Sequence, residues 1–253
     1  MKKHMLFIIV CLILPIQLWA GTASVSQEIP LDEETKAEAL QELQTHFDIT
    51  RRSVDIVVLR EGWNDAESQG ETTQYLEMVA GGKENKTLSF TMKPESQKGT
   101  GRLIVGKNIW TYNPVKRSFT LSIDVSTELG SLLSGDETKR EITGYYHGVC
   151  NGHEAHMVRI HDKEASSILE IWFDVSTGLQ LMVDRFNERG TRLNRMEILS
   201  YVQLSSGAYY PSSSKTWSYL QPSAIWRDRL IDIREEDVPD DYFTKAYVER
   251  VCR

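Results

Sequence analysis

Long hydrophobic runs are scarce in this 253-residue sequence. The one uninterrupted run, Met5 to Leu14, falls short of the roughly 20 apolar residues that a membrane helix needs. It follows Lys2, Lys3 and His4 and leads to Ala20-Gly21-Thr22-Ala23, so residues 1–23 spell a secretory leader. Ile16, Leu18 and Trp19 extend the run and keep an uncleaved N-terminal anchor as the alternative. Cysteine is scarce too. Of three, Cys11 lies in the leader behind Ile9 and Val10, which argues against a lipid-attachment site. Cys150 and Cys252 remain as an even pair in an oxidising space, and a disulfide between them is expected. Such a bridge contributes about 4–5 kcal/mol in the chain-entropy account. The alternative is one buried thiol and one free terminal thiol.

There is no basic block either. The 29 Lys+Arg against 36 Asp+Glu give −7, which argues against nucleic acid as a partner. Catalytic signatures are also missing: no GxSxG, no GxGxxG behind a strand, no HExxH. Gly101 to Asn108 approaches a phosphate-binding loop, but Asn108 stands where a hydroxyl would hold the metal. No strand–helix–strand alternation is present, which argues against a parallel sheet. The expectation is a protein that is not an enzyme, with no cofactor and no metal.

What is present begins with one amphipathic helix. Pro30-Leu31-Asp32 starts it, Glu33 and Glu34 favour its positive end, and Ala37, Leu40, Leu43 and Phe47 form an apolar stripe. After Arg51 the period changes to two, with Val54, Ile56 and Val58 alternating with Asp55 and Val57. Strands are expected around Leu88–Met92, Arg102–Val105, Asn108–Tyr112, His156–His161, Leu169–Phe173, Leu179–Val183, Leu193–Gln203, Lys215–Leu220 and Arg227–Arg234. About ten antiparallel strands result, with Asp240 capping a short last helix and Ser126–Asp136 as a mobile loop. A sheet that large curls, and something must fill its concave side. The residues themselves leave open whether helices, large side chains or a ligand do so.

Four of the six histidines, His147, His153, His156 and His161, fall close together around Cys150. A zinc or copper site is conceivable there, but His153 and His156 sit an odd number apart in an extended segment and so face opposite ways. Scattered surface or turn histidines are the simpler account.

The most informative segment runs from Leu88 to Phe119. A turn at Lys98-Gly99-Thr100-Gly101 is followed by Leu103, Gly106, Trp110, Tyr112, Pro114 and Arg117. This pattern resembles the family of periplasmic outer-membrane lipoprotein-sorting proteins similar to the carrier LolA. Trp172-Phe173-Asp174 with Thr177-Gly178-Leu179, Gly207 with Pro211, and Phe243 to Tyr247 extend the likeness over about residues 88–250. The resemblance implies a mainly β, α+β fold: an incomplete barrel of antiparallel strands with covering helices, as one domain over residues 24–253. It also implies a periplasmic protein that holds acyl chains of a lipid or lipoprotein, with an inner-membrane export permease as a candidate partner. The second strand–turn–strand resembles periplasmic envelope-stress regulators as well, so a module that binds a membrane anti-sigma factor is the alternative. Phe90, Met92, Leu103, Val105, Trp110 and Tyr112, joined by Trp172 and Met182, are the candidate apolar lining. A closed, dry core built of the same residues is the competing account.

Overall fold

The computed structural model describes residues 23–50, 54–64, 72–81, 86–106, 108–123, 139–163, 165–220 and 224–252. The expected leader (but for Ala23) and the expected loop Ser126–Asp136 lie outside them. A single sheet of 14 antiparallel strands dominates. In chain order these are β1 (Ala23–Ile29), β2 (Ile56–Asn64), β3 (Thr73–Val79), β4 (Lys86–Lys93), β5 (Gly101–Val105), β6 (Asn108–Asn113), β7 (Ser118–Ile123), β8 (Arg140–Cys150), β9 (His153–Asp162), β10 (Ser167–Asp174), β11 (Gln180–Asn187), β12 (Arg192–Gln203), β13 (Tyr209–Ser218) and β14 (Ile225–Glu235). Helix α1 spans Glu33–Thr50 and helix α2 spans Lys245–Val251.

The spatial order is β1-β8-β9-β10-β11-β12-β13-β14-β2-β3-β4-β5-β6-β7. β1 and β7 are its two ends, so the sheet does not close. Two meanders, β8–β14 and β2–β7, join where β14 pairs β2, from Trp226 opposite Asn64 to Glu235 opposite Ile56. Four more strands are present than the sequence suggests. The added strands are β1, β3, β7 and β8; in two of them burial does not alternate, since β3 is half-buried along almost its whole length and β1 is mostly exposed.

Two further expectations are corrected. In α1 the buried residues are Thr35, Ala39, Leu43 and His46, whereas Ala37 and Leu40 face solvent. The stripe is rotated because α1 must lay Ala39 and Leu43 onto Val158, Ile160, Leu169, Ile171 and Phe173. Its start is as read, with the Thr35 N–H donating to Asp32 Oδ1 at 2.9 Å. In β2, Ile56, Val57 and Val58 are all buried, so alternation fails there. Val57 packs with Leu88 and Leu103, while Ile56 and Val58 pack with Leu204 and Tyr210. Both sides of this strand are covered.

Cys150 and Cys252 are free and buried, so the expected disulfide is not formed. Cys150 sits with Met157, Trp172 and Met182, and Cys252 sits with Phe90, Leu103 and Val248. The sheet order separates these clusters by most of its width. Burial pushes the Cys150 thiol up to about 12 and the Cys252 thiol up to about 11.

Candidate functional site

Helix α2 is short, and seven residues do not hold a helix in water on propensity alone. Its cap is Thr244, whose side-chain oxygen accepts the Tyr247 N–H at 3.2 Å. Asp240, the expected cap, instead opens a separate single turn at Asp240–Tyr242. What holds α2 is burial. Val248, Cys252, Phe243 and Val238 pack against Val57, Leu88, Phe90, Leu103 and Tyr112 from β2, β4, β5 and β6. Gly101 lets the helix approach, because a Cβ there would stand 2.8 Å from Val248 Cγ1 and 3.0 Å from Cys252 Sγ.

Around this buried centre lies a half-covered apolar margin of Leu76, Met78, Val105, Trp110, Phe119 and Tyr247. Lys245 Nζ lies 4.7 Å from the Trp110 ring centroid, and Tyr242 stacks on Tyr247 at 4.1 Å. The Tyr112 hydroxyl is buried here without a hydrogen-bond partner. An orphaned hydroxyl inside an apolar cluster is costly unless something polar reaches it.

Of the expected lining residues, Phe90, Leu103 and Tyr112 meet in the centre of this cluster, and Val105 and Trp110 meet at its margin. Met92 is 45% exposed. It falls in the bulge where β4 passes the Gln74–Tyr75 step of β3, and so has no paired neighbour. Trp172 and Met182 are buried in the distant cluster with Tyr146, Cys150, Ala155 and Met157. They are not in contact with the others, yet the pairing register places them on the same side of the sheet. Trp172 faces Met182, Met182 faces Glu197, Glu197 faces Lys215, Lys215 faces Arg227, and Arg227 faces Trp63. From Trp63 the alternation of β2 carries that side to Leu59, and thence through Leu76 to Phe90 and on to Gly101 and Tyr112. The packing of α2 and this long shared side were not legible in the sequence, since no local pattern encodes which strands become neighbours.

The histidines do not gather. His147 and His156 meet ring to ring at 4.3 Å beside α1, with His156 Nδ1 2.6 Å from Glu42 Oε1. His153 pairs with Asp174 at 2.8 Å, and His161 lies 3.8 Å from Glu188. Among the described residues no group of three or more His, Cys, Asp or Glu is placed to hold a metal ion. Asp174, in the expected strand–turn–strand, organises its turn instead. Burial pushes its carboxyl up, but Oδ1 accepts the hydroxyls of Ser176 and Thr177 and their N–H groups at 2.9 Å each, and together these bonds hold the carboxyl below the usual range. An open cleft of about 400 Å³ lies between Asp55, Gly81, Lys86, Asp237 and Asp240. It is polar, and both Asp55 oxygens are engaged, by the Gly81 and Val238 N–H groups at 2.6 and 2.9 Å.

A protein-family model described as an uncharacterized protein matches residues 83–250, more than half of the chain. The chain belongs to that family. No curated protein matches it. Among solved structures it is similar to a putative outer membrane lipoprotein-sorting protein domain from Vibrio parahaemolyticus, with TM-score 0.68, 16% identity, and coverage of 85% of this chain and 99% of that one. It is also similar to a LolA superfamily protein from Nitrosomonas europaea, with TM-score 0.62, 14% identity, and coverage of 83% and 98%. A DUF1329 family protein from Desulfovibrio piger gives TM-score 0.67, 12% identity, and coverage of 84% and 98%. The fold is LolA-like. In this LolA-like chain the open antiparallel sheet expected from Leu88–Phe119 is present, with α1 and α2 on opposite sides of it.

Proposed function

We propose that this LolA-like chain is a periplasmic carrier that holds acyl chains of a lipid or lipoprotein against the β3–β7 face, beneath α2. The observation that carries this reading is the cover itself. A seven-residue helix, held by apolar packing, closes an aromatic-rich face whose margin at Trp110, Phe119 and Tyr247 stays half-exposed. Each CH₂ moved from water into such a face is worth about 0.8 kcal/mol, so displacement of α2 by an acyl chain replaces like with like. Binding of this kind needs shape and greasiness, with no reacting group. The orphaned Tyr112 hydroxyl offers one donor to an ester or amide carbonyl. Residues 1–23 are read as the leader and 24–253 as one domain. Cleavage falls near Ala20 or Ala23, at the start of β1, and N-terminal sequencing of exported protein that returned Met1 would refute cleavage.

The test is a fluorescent fatty-acid displacement titration beside a thermal melt. The chain is expected to bind saturably, and Trp110→Ala to weaken binding at least several-fold while remaining folded, because Trp110 sits at the margin and not in the centre. If the unmodified protein shows no saturable acyl binding, the carrier reading fails.

A further inference from the structure

Midway along the side of the sheet shared by both apolar clusters, the chemistry changes. The paired row reads Met182, Glu197, Lys215, Arg227, Trp63 across β11, β12, β13, β14 and β2. Trp217 stands two positions from Lys215, whose Nζ lies 4.5 Å from its ring centroid, and Arg229 lies 5.8 Å from the Trp63 ring. Of the flanking charges, Asp184 is held by Arg192 and Arg195 at 3.1 and 2.7 Å, and Glu61 by Arg229. Glu197 is only 4% exposed, and its Oε1 has no hydrogen-bond partner, with Arg195 Nη1 standing 4.0 Å away. Lys215 is its direct neighbour across β12 and β13, and Arg227 is the next across β13 and β14; burial raises this carboxyl, and the positive charges of Arg195, Lys215 and Arg227 oppose that effect.

We infer that this band is a head-group site for a phosphate-bearing acyl lipid, with the phosphate on Lys215 and Arg227 and a head-group donor on Glu197 Oε1. The inference deepens the carrier reading and rests on it. Order along the sheet supports it: the apolar face under α2, then Trp63 on β2, then Arg227 on β14, then Lys215 beside Trp217 on β13, then the buried Glu197 acceptor on β12. Four inter-strand steps of about 4.8 Å separate β14 from β5, about 19 Å across the sheet, and the shift along β2 from Trp63 to Leu59 adds to it. Ammonium and guanidinium groups half-withdrawn from water bind phosphate more strongly than freely exposed ones, because less solvent screens them. Aromatic rings whose one end is apolar and the other wet suit the boundary between tail and head. A hydroxyl or ammonium beyond the phosphate satisfies the Glu197 oxygen that the protein leaves unbonded.

The experiment compares a long-chain diacylglycerol with the phosphatidylglycerol carrying the same chains, each delivered in the same mild detergent and read by displacement of a bound fluorescent fatty acid at two salt concentrations. Phosphatidylglycerol is expected to bind at least 10-fold tighter at low salt, and this advantage is expected to shrink at high salt while diacylglycerol affinity holds. In Lys215→Gln/Arg227→Gln the two lipids are expected to bind alike, with a thermal melt confirming the fold. Equal affinities in the unmodified protein overturn the head-group site and leave the carrier reading standing. An advantage that survives in the double variant also overturns it. Failure of both lipids to bind, with fatty acid likewise unbound, overturns the carrier reading itself.

Discussion

His46 lies on the inner surface of α1, 8% exposed, with its ring 5.4 Å from that of Phe173 and its Nδ1 accepting the Gln180 N–H at 3.3 Å. Burial pushes the imidazole down from 6.5 to about 4. Between those values the unfolded chain takes up a proton that the folded chain refuses. The stability held by a neutral His46 is therefore complete above about pH 6.5 and is lost as pH falls toward 4. At 1.36 kcal/mol per unit, the loss is at most about 3 kcal/mol. His46→Asn keeps a neutral acceptor in reach of Gln180 and should flatten the fall in Tm between pH 6.5 and 4.5. The measurement is a series of thermal melts across that range; an unchanged slope in the variant would show that His46 is not responsible.

At the scale of elements, α2 is the piece whose removal separates cover from face. Gly101 on β5 has no side chain to keep the helix away, and Val248 and Cys252 occupy the room. Gly101→Ala forces a shift of α2 that its short length cannot resist. The expected cost is about 1–3 kcal/mol, the usual range for overpacking, read as a lowered urea midpoint. Because the substitution loosens the cover and leaves Phe90, Leu103 and Tyr112 intact, acyl affinity should be kept or raised. Loss of affinity in a folded Gly101→Ala protein would mean that α2 belongs to the site as a wall, not as a lid.

For the whole molecule the critical seam is β14 against β2, the pairing that joins the two meanders. Arg60 is buried across it. Its Nη2 donates to Asp228, which also accepts from the Ser214 hydroxyl, and its Nη1 donates to the Pro211 carbonyl at 2.9 Å. Asp228→Ala leaves a buried guanidinium without its carboxylate, a loss of about 3–5 kcal/mol. Since this seam holds both halves, the urea transition should move as one, with tryptophan fluorescence and far-UV circular dichroism shifting together. Two separated transitions in the variant would instead mark the meanders as independent folding units.

The sequence by itself determined the elements that a local period can express. The start of α1 at Asp32, the strands around Trp110 and Trp172, the turns at Gly99 and Gly178, and the antiparallel class all follow from spacing of apolar residues and from left-handed glycines with φ of 77° and 71°. The Leu88–Phe119 pattern further pointed to the LolA-like fold. Tertiary structure alone decided the rest. Which face of α1 is buried depended on where β8, β9 and β10 lay, and whether Cys150 could reach Cys252 depended on how many strands stood between them. The row from Trp172 to Trp63 exists only through inter-strand register, in which residues far apart along the chain become direct neighbours. Spacing along a chain encodes the face a side chain takes within its own strand. The neighbour it meets is fixed by the order in which strands pair.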